Sequence, residues 1–315
     1  MVNKKIVYVT GCLGFIGSHV TRRCLEQGWY VIGVDKCTYA SNINFLAEFN
    51  QNTRFKFLKQ DINDLDRLLD CDYVINTAAE THVDNSIERS ADFVRSNIDG
   101  VHNLLELLRS NNGRKPVLLH FSTDEVYGDI DDGSFTETQL LKPSNPYSAT
   151  KAAADMLVSA WARTYDVPWI IVRPTNNYGI GQYTEKLIPK AIKYLTLGRQ
   201  VPLHMKGAPR RTWLHVEDTA DAIVHIINAG VENEIYNISG NYETSNLDVV
   251  HQIIDHIYIG DDYEAHIDFN IQRAGADVRY SIDDSKLKAL GWQPRRIFKD
   301  ELPGIVDYYQ QNFVW

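Results

Sequence analysis

The apolar run Ile6-Val-Tyr-Val9 passes directly into Thr10-Gly11-Cys-Leu-Gly14-Phe-Ile-Gly17, and a helical pattern then continues to about Gln27. A second apolar run, Tyr30-Val-Ile-Gly-Val34, ends in Asp35. Few folds accept this order. A buried strand, a glycine turn, a helix and a second strand ending in an acid predict a βαβ unit that holds a dinucleotide. The glycines let the backbone approach a pyrophosphate, and the helix N-terminus offers N–H groups and positive potential. Asp35 can accept both hydroxyls of a ribose and repels a 2′-phosphate. This predicts NAD in preference to NADP, with the neighbouring Lys36 as the one opposing charge.

The alternation continues down the chain. Phe55-Lys-Phe-Leu58, Tyr73-Val-Ile-Asn76, Pro116-Val-Leu-Leu-His-Phe121 and Val167 to Val172 read as strands, and 89–111 and 147–165 as long amphipathic helices. Strands alternating with helices predict an α/β protein with a doubly wound (Rossmann) parallel sheet. Asp61 follows the third strand, where it can receive an adenine amino group or cap a helix over 63–69. The small residues Thr77, Ala78 and Ala79 let the backbone lie against a flat cofactor. After Arg173 the elements shorten: a helix over 185–197, strands near 201–205 and 212–215, and helices near 217–229, 246–258, 283–290 and 298–312. The expected division is an NAD-binding domain over 1–175 and a smaller α/β substrate lobe over 176–315, with room for some segments to return to the sheet.

Composition narrows the classes of function. A formal charge of −9, from 32 Lys and Arg against 41 Asp and Glu, argues against a nucleic-acid-binding face. Cys12, Cys24, Cys37 and Cys71 have no metal-ligand spacing, so no metal is expected, and a reduced compartment suits them. The first strand begins near Lys5 and leaves no room for a signal peptide. No apolar run reaches the roughly 18 residues of a membrane helix. The expectation is a soluble cytoplasmic protein.

Chemistry concentrates in two stretches. Ser122-Thr123-Asp124-Glu125 lies where the strand over 116–121 ends, the edge at which open α/β sheets bind ligands. Two adjacent carboxylates there are costly to bury unless paired, hydrogen-bonded or used. Tyr147 and Lys151 share one face of a helix at i, i+4, and an ammonium beside a phenol favours the phenolate. Tyr147 is therefore expected to act as a base near neutral pH. His82 reads as a structural residue of its turn.

Gly11-x-x-Gly14-x-x-Gly17, Tyr147-x-x-x-Lys151 and Arg173-Pro174 resemble the extended short-chain dehydrogenase/reductase superfamily, over the whole chain. Asp35-Lys-Cys-Thr-Tyr39, Ala78-Ala-Glu-Thr-His-Val-Asp84, Ser122-Thr-Asp-Glu-Val-Tyr-Gly128, Asn176-Asn-Tyr-Gly179 and Glu185-Lys-Leu-Ile-Pro189 resemble its nucleotide-sugar 4,6-dehydratases. Related 4-epimerases carry small or hydroxyl residues in place of Asp124 and Glu125. The resemblance implies an NAD site lined by Gly11, Gly14, Phe15, Ile16, Gly17, Asp35, Lys36, Thr38, Asp61, Ile62, Thr77, Ala78, Ala79, Ser96, Tyr147, Lys151 and Asn177. It implies a nucleotide-sugar site at Thr81, Thr123, Asn176, Lys186, Leu187, Pro202, His204, Arg211, Asn246 and Arg273. It also implies catalysis by Thr123, Asp124, Glu125, Tyr147 and Lys151, and a homodimer through a four-helix bundle of the 89–111 and 147–165 helices. The chain departs from the family at Gln272-Arg-Ala-Gly-Ala276, at Met205-Lys-Gly-Ala-Pro209, at Asn85 and in its short 129–136 segment. These places bear on base and sugar choice, and small residues at 274 and 276 leave room for a 2-acetamido group. The sequence leaves open thymidine or uridine, and glucose or N-acetylglucosamine. A 4-epimerase or decarboxylase of the same superfamily, and a non-catalytic NAD-sensing protein, are the alternative readings.

Overall fold

The computed structural model describes residues 4–111, 113–229, 231–260, 262–271 and 277–312. Its strands, in chain order, are β1 (Ile6–Thr10), β2 (Tyr30–Asp35), β3 (Phe55–Lys59), β4 (Tyr73–Asn76), β5 (Val117–Phe121), β6 (Trp169–Pro174), β7 (Asn176–Tyr178), β8 (Val201–Pro202), β9 (Arg210–His215), β10 (Glu234–Ile238), β11 (Tyr242–Ser245) and β12 (Ile267–Asp268). Seven of them form a parallel sheet in the order β10-β6-β5-β4-β1-β2-β3. The order reverses between β1 and β4, which opens a crevice at the C-terminal ends of those strands. β11-β9-β7 and β12-β8 make two small sheets beside it.

Both faces of the main sheet are covered, which is why its inner strands are largely apolar instead of alternating, while the edge strand β3 exposes Lys56 and Lys59. On one face Val7, Val9 and Leu119 meet Val20 and Cys24 of the Phe15–Glu26 helix and Ile223 and Ile227 of the Val216–Ala229 helix. On the other, Tyr8, Val74 and Leu118 meet Leu104, Leu105, Ala154 and Val158. A separate core joins Ile188, Ile192, Val250, Ile254, Leu302 and Val306 from three helices of the second lobe. Among the described residues no helix is long and apolar enough to cross a membrane.

Two local expectations change. Residues 63–69 do not form a helix; only a 3₁₀ turn, Ile62–Asp64, appears. Asn103 Nδ2 takes the carbonyls of Ile62 and Leu65 (2.7 and 2.9 Å) and Leu65 turns into the core, which removes the acceptors a helix needs. The helix over 89–111 contains a π turn, Arg95–Asp99, between Ser90–Val94 and Gly100–Arg109. The extra residue in that turn directs Ser96 and Asn97 inward. Beyond 176, the room left for segments to return to the sheet is used by β10, which pairs with β6 from Glu234↔Ile170 to Ile238↔Pro174 as an edge strand.

The Pro146–Tyr165 helix, by contrast, starts where local chemistry requires. Asn145 Oδ1 accepts from Ser148 N (2.9 Å), Ser148 Oγ accepts from Asn145 N (3.2 Å), and Pro146 occupies the first turn. This cap places Tyr147 in the first turn and Lys151 one turn later.

Candidate active site

Gly11 has φ +69°, and an added Cβ there would lie 2.9 Å from Ala78 Cα. At Gly17 a Cβ would lie 2.0 Å from the Gly11 carbonyl and 2.6 Å from Thr77 Oγ1. Only glycine permits this packing. The helix then begins at Gly14 with no side chain capping it, so its first N–H groups are left for a ligand. Asp35 closes the turn: Oδ2 accepts from Leu13 N (3.0 Å), and Oδ1 from Cys37 N (2.7 Å) and Ser41 Oγ (2.9 Å). A carboxylate has about four lone-pair sites, so one acceptor position of Asp35 is left where two ribose bonds were expected. Lys36 lies 3.5 Å from Asp61 and 3.9 Å from Glu80, which offset its charge. Asp61 does cap, taking Asn63 N at 3.0 Å, while also lining the cleft. A glycine cradle, an uncapped helix start and an acid at the end of β2 fit NAD.

β5 delivers the acid pair. Past Ser122 the chain leaves the sheet in a 3₁₀ turn, Asp124–Tyr127, capped by Thr123 Oγ1, which accepts from Glu125 N at 3.4 Å. Thr123 Oγ1 also donates to Asp124 Oδ1 (3.3 Å). Asp124 is buried, and its Oδ2 has no hydrogen-bond partner. Burial, and then the charge of Glu125, push the Asp124 carboxyl up to about 7. Burial raises Glu125 as well, with Arg211 pulling the other way. The two groups therefore resist being ionised together, the condition under which one serves as acid and the other as base.

Tyr147 is buried beside them, its phenol next to Thr123. Lys151 Nζ donates to the Phe121 carbonyl at 2.5 Å, and burial lowers its ammonium to about 8, with Asp155 opposing. The expectation of a phenolate held by Lys151 is not met by the chain alone. Burial first, and then the charge of Glu125, push the Tyr147 phenol upward. The lysine's hydrogen bond goes to the strand instead of the phenol. Beneath it, Asp155 Oδ2 accepts from Ser122 Oγ (2.9 Å) and from Arg173 Nε and Nη2 (3.1 and 2.9 Å). This buried pair ties the ends of β5 and β6 to the lysine helix.

Every residue assigned to NAD except Lys151 lines one cleft, as do Asp124, Glu125, Thr81, Thr123, Asn176 and Lys186. Lys151 stands behind Tyr147, against β5. Leu187 packs on the core of the second lobe. Pro202, His204, Arg211 and Asn246 lie around β8, β9 and the start of the Asn246–Ile257 helix, outside the cleft lining. Arg273 lies outside the described residues, as do the small residues at 274 and 276. Sequence reasoning missed Ser41, Gln182 and Tyr183, which also line the cleft and sit in loops without periodicity. Glu80 and Glu185 line it too and belong to the motifs quoted above. Asn97 was also missed: it bonds both backbone groups of Glu80 (2.9 and 3.0 Å) and Thr150 Oγ1 (3.0 Å).

The chain matches the family model described as GDP-mannose 4,6 dehydratase over residues 8–303. It is 42% identical to a low-salt glycan biosynthesis protein of Haloferax volcanii, over 96% of this chain and 98% of that protein. It is equally 42% identical to a dTDP-glucose 4,6-dehydratase of Haemophilus influenzae, over 97% of this chain and 98% of the other. Among solved structures it is similar to a dTDP-glucose 4,6-dehydratase of Streptomyces venezuelae with NAD bound. The TM-score is 0.91 and the identity 37%, over 98% of this chain and 97% of that one. With a doubly wound sheet, a glycine cradle and an acid pair facing a Tyr/Lys helix, the chain belongs to the nucleotide-sugar 4,6-dehydratase family of the extended short-chain dehydrogenases/reductases.

Proposed function

We propose that the chain is an NAD-dependent dehydratase that converts an NDP-hexose to its 4-keto-6-deoxy sugar, with loss of one water. The observation that carries this is the adjacent pair Asp124 and Glu125, the first held protonated to about pH 7 and turned toward a cleft that also holds Tyr147. A 4-epimerase or a decarboxylase leaves that pair without a task, and a non-catalytic NAD-sensing protein needs neither the pair nor Tyr147.

The roles follow from the residue types. NAD, when bound, supplies the acceptor of the C4 hydride and its donor to C6. Tyr147 takes the proton of the 4-hydroxyl, with Thr123 hydrogen-bonding that oxygen and Lys151 supporting the charge. A 4-keto group acidifies C5–H, and Glu125 removes that proton. Asp124 gives its proton to the departing 6-hydroxyl. Arg211 suits a diphosphate through paired N–H donors, and Thr81, Asn176 and Lys186 lie on the sugar side. The offset of Lys36 by Asp61 and Glu80 supports NAD over NADP. Residues 1–175 then serve as the cofactor domain and 176–315 mainly as the nucleotide-sugar lobe, in the cytoplasm. A homodimer through the 89–111 and 147–165 helices completes the reading, supported by an outward stripe of Ala149, Ala153, Met156 and Ala160.

The test is to incubate the purified protein with dTDP- and UDP-linked glucose and N-acetylglucosamine and to weigh the products. Loss of one water with no net NADH is expected. An isomer of unchanged mass would make it an epimerase, and a stoichiometric demand for external reductant would end the dehydratase reading.

A further inference from the structure

Glu125, in the reading above, holds the proton it takes from C5 until C5 is reprotonated, and whether that proton exchanges with solvent depends on a route out from Glu125. We propose that Tyr280, Asp277 and Asp129 form a proton path from Glu125 to solvent; the proposal rests on the dehydratase reading.

The groups stand in a row. The Tyr280 hydroxyl lies 3.4 Å from Glu125 Oε2 and donates to Asp277 Oδ2. The Asp277 carboxyl stands in turn beside that of Asp129, whose neutral form its charge favours, and Asp129 is exposed. Tyr280 and Asp277 are 3% and 4% exposed, so the middle of the row is shielded from water. Asn145 Nδ2 lies 3.4 Å from both Glu125 Oε2 and Asp277 Oδ2, which fixes the two carboxyl groups on either side of the phenol. Arg211 covers the Tyr280 ring at 4.4 Å and donates from Nη2 to the Asp277 carbonyl (3.1 Å). Asp129 Oδ1 is anchored by Val278 N (2.8 Å) and Arg279 N (3.3 Å), which leaves its other oxygen for Asp277 and water.

The transfer balances without any further reactant. The Glu125 carboxyl gives its proton to the Tyr280 oxygen as the Tyr280 proton passes to the Asp277 carboxylate. Tyr280 is a neutral phenol before and after, in keeping with a burial and a Glu125 charge that both oppose its ionisation. Asp277 then passes the proton to Asp129, and Asp129 to water. Glu125 is left as a carboxylate; a solvent proton returning along the same groups reloads it, and that proton is the one Glu125 gives to C5. Without the path, the proton taken from C5 is the one given back.

The experiment uses the NDP-hexose accepted by the wild-type protein, deuterated at C5, in ordinary water, with product mass read at early conversion. Wild-type product is expected to lose the label. Tyr280→Phe, which keeps the ring and removes the relaying hydroxyl, should raise retention from a trace to most of the product formed. Asp129→Asn preserves the acceptor for Val278 N and Arg279 N and should raise it too. Retention is a ratio within the product, so a slower but merely less stable variant does not move it. Wash-out by Tyr280→Phe equal to wild type, or retention by wild type itself, overturns the path. Wash-out by Asp129→Asn alone overturns its last step. Should Tyr280→Phe not fold, Asp277→Asn takes its place: retention of the label supports the path and wash-out overturns it. Failure of the wild-type protein to dehydrate any sugar would instead overturn the function.

Discussion

Asp124 is buried with a carboxylate as its chain neighbour, and both facts favour its neutral form. Its carboxyl titrates at about 7 against an ordinary 3.8. The acid form that protonates a leaving hydroxyl is therefore present below about pH 7 and lost above it. Elimination should fall as pH rises through that value, and Asp124→Asn should remove this limb while slowing elimination by about 10²–10⁴. C4 oxidation, followed as NADH absorbance in a single turnover, should survive the change. The sign for stability is opposite to that of a salt-bridged aspartate. Between pH 3.8 and about 7 the folded state binds the extra proton, so stability declines as pH rises across that window. Asp124→Asn should thus stabilise the protein at pH 8 by up to roughly 4 kcal/mol, read from urea midpoints at pH 5 and 8. The pair itself was legible in the chain, since adjacent acids after an apolar run have few structural uses. Its partners Asn145, Asp277 and Tyr280 were not, because nothing in their local sequence marks residues that lie 20, 152 and 155 positions from Glu125 as neighbours.

The π turn at Arg95–Asp99 shows how an element can be recognised yet misjudged. Apolar spacing predicts an uninterrupted helix, and the register shift that turns Asn97 inward leaves that spacing almost unchanged. The cause is tertiary: Asn97 satisfies both backbone groups of Glu80 and meets Thr150 in the first turns of the Tyr147 helix. It couples the loop after β4, which lines the cofactor cleft, to the helix that carries the catalytic pair. Asn97→Ala should leave the half-buried backbone groups of Glu80 without a partner, costing about 1 kcal/mol. Thermal unfolding should show that loss, and NAD released on denaturing the purified variant should drop below the near-stoichiometric amount expected of the wild type. Full cofactor content in Asn97→Ala would show that the loop holds its shape unaided. The failed helix over 63–69 has the same origin, since Asn103, 38 residues further along the chain, claims the carbonyl of Leu65.

At the level of the whole molecule, the second lobe is interleaved with the first. β10 and the Val216–Ala229 helix belong to the main sheet and its cover, while Arg211 reaches from β9 to the ring of Tyr280. Outside the core, Met156 is 61% exposed in the middle of a helix whose neighbouring outward positions are the small residues Ala153, Ser159 and Ala160. A charge placed there should prevent two such faces from meeting, so Met156→Glu should convert the proposed dimer to a monomer by light scattering, with its helical circular dichroism retained. A wild-type monomer at micromolar concentration would count against that interface. By itself the sequence determined the parallel sheet, the glycine cradle and the order of the catalytic groups. All of these depend on strand and helix periods and on steric limits on glycine. Only the tertiary structure decided that Lys151 bonds to β5 instead of to Tyr147, that Asp35 has one free acceptor instead of two, and that Tyr280 and Asp277 stand behind Glu125. Those outcomes turn on burial and on charges brought together from distant parts of the chain, and neither has a signature in local sequence.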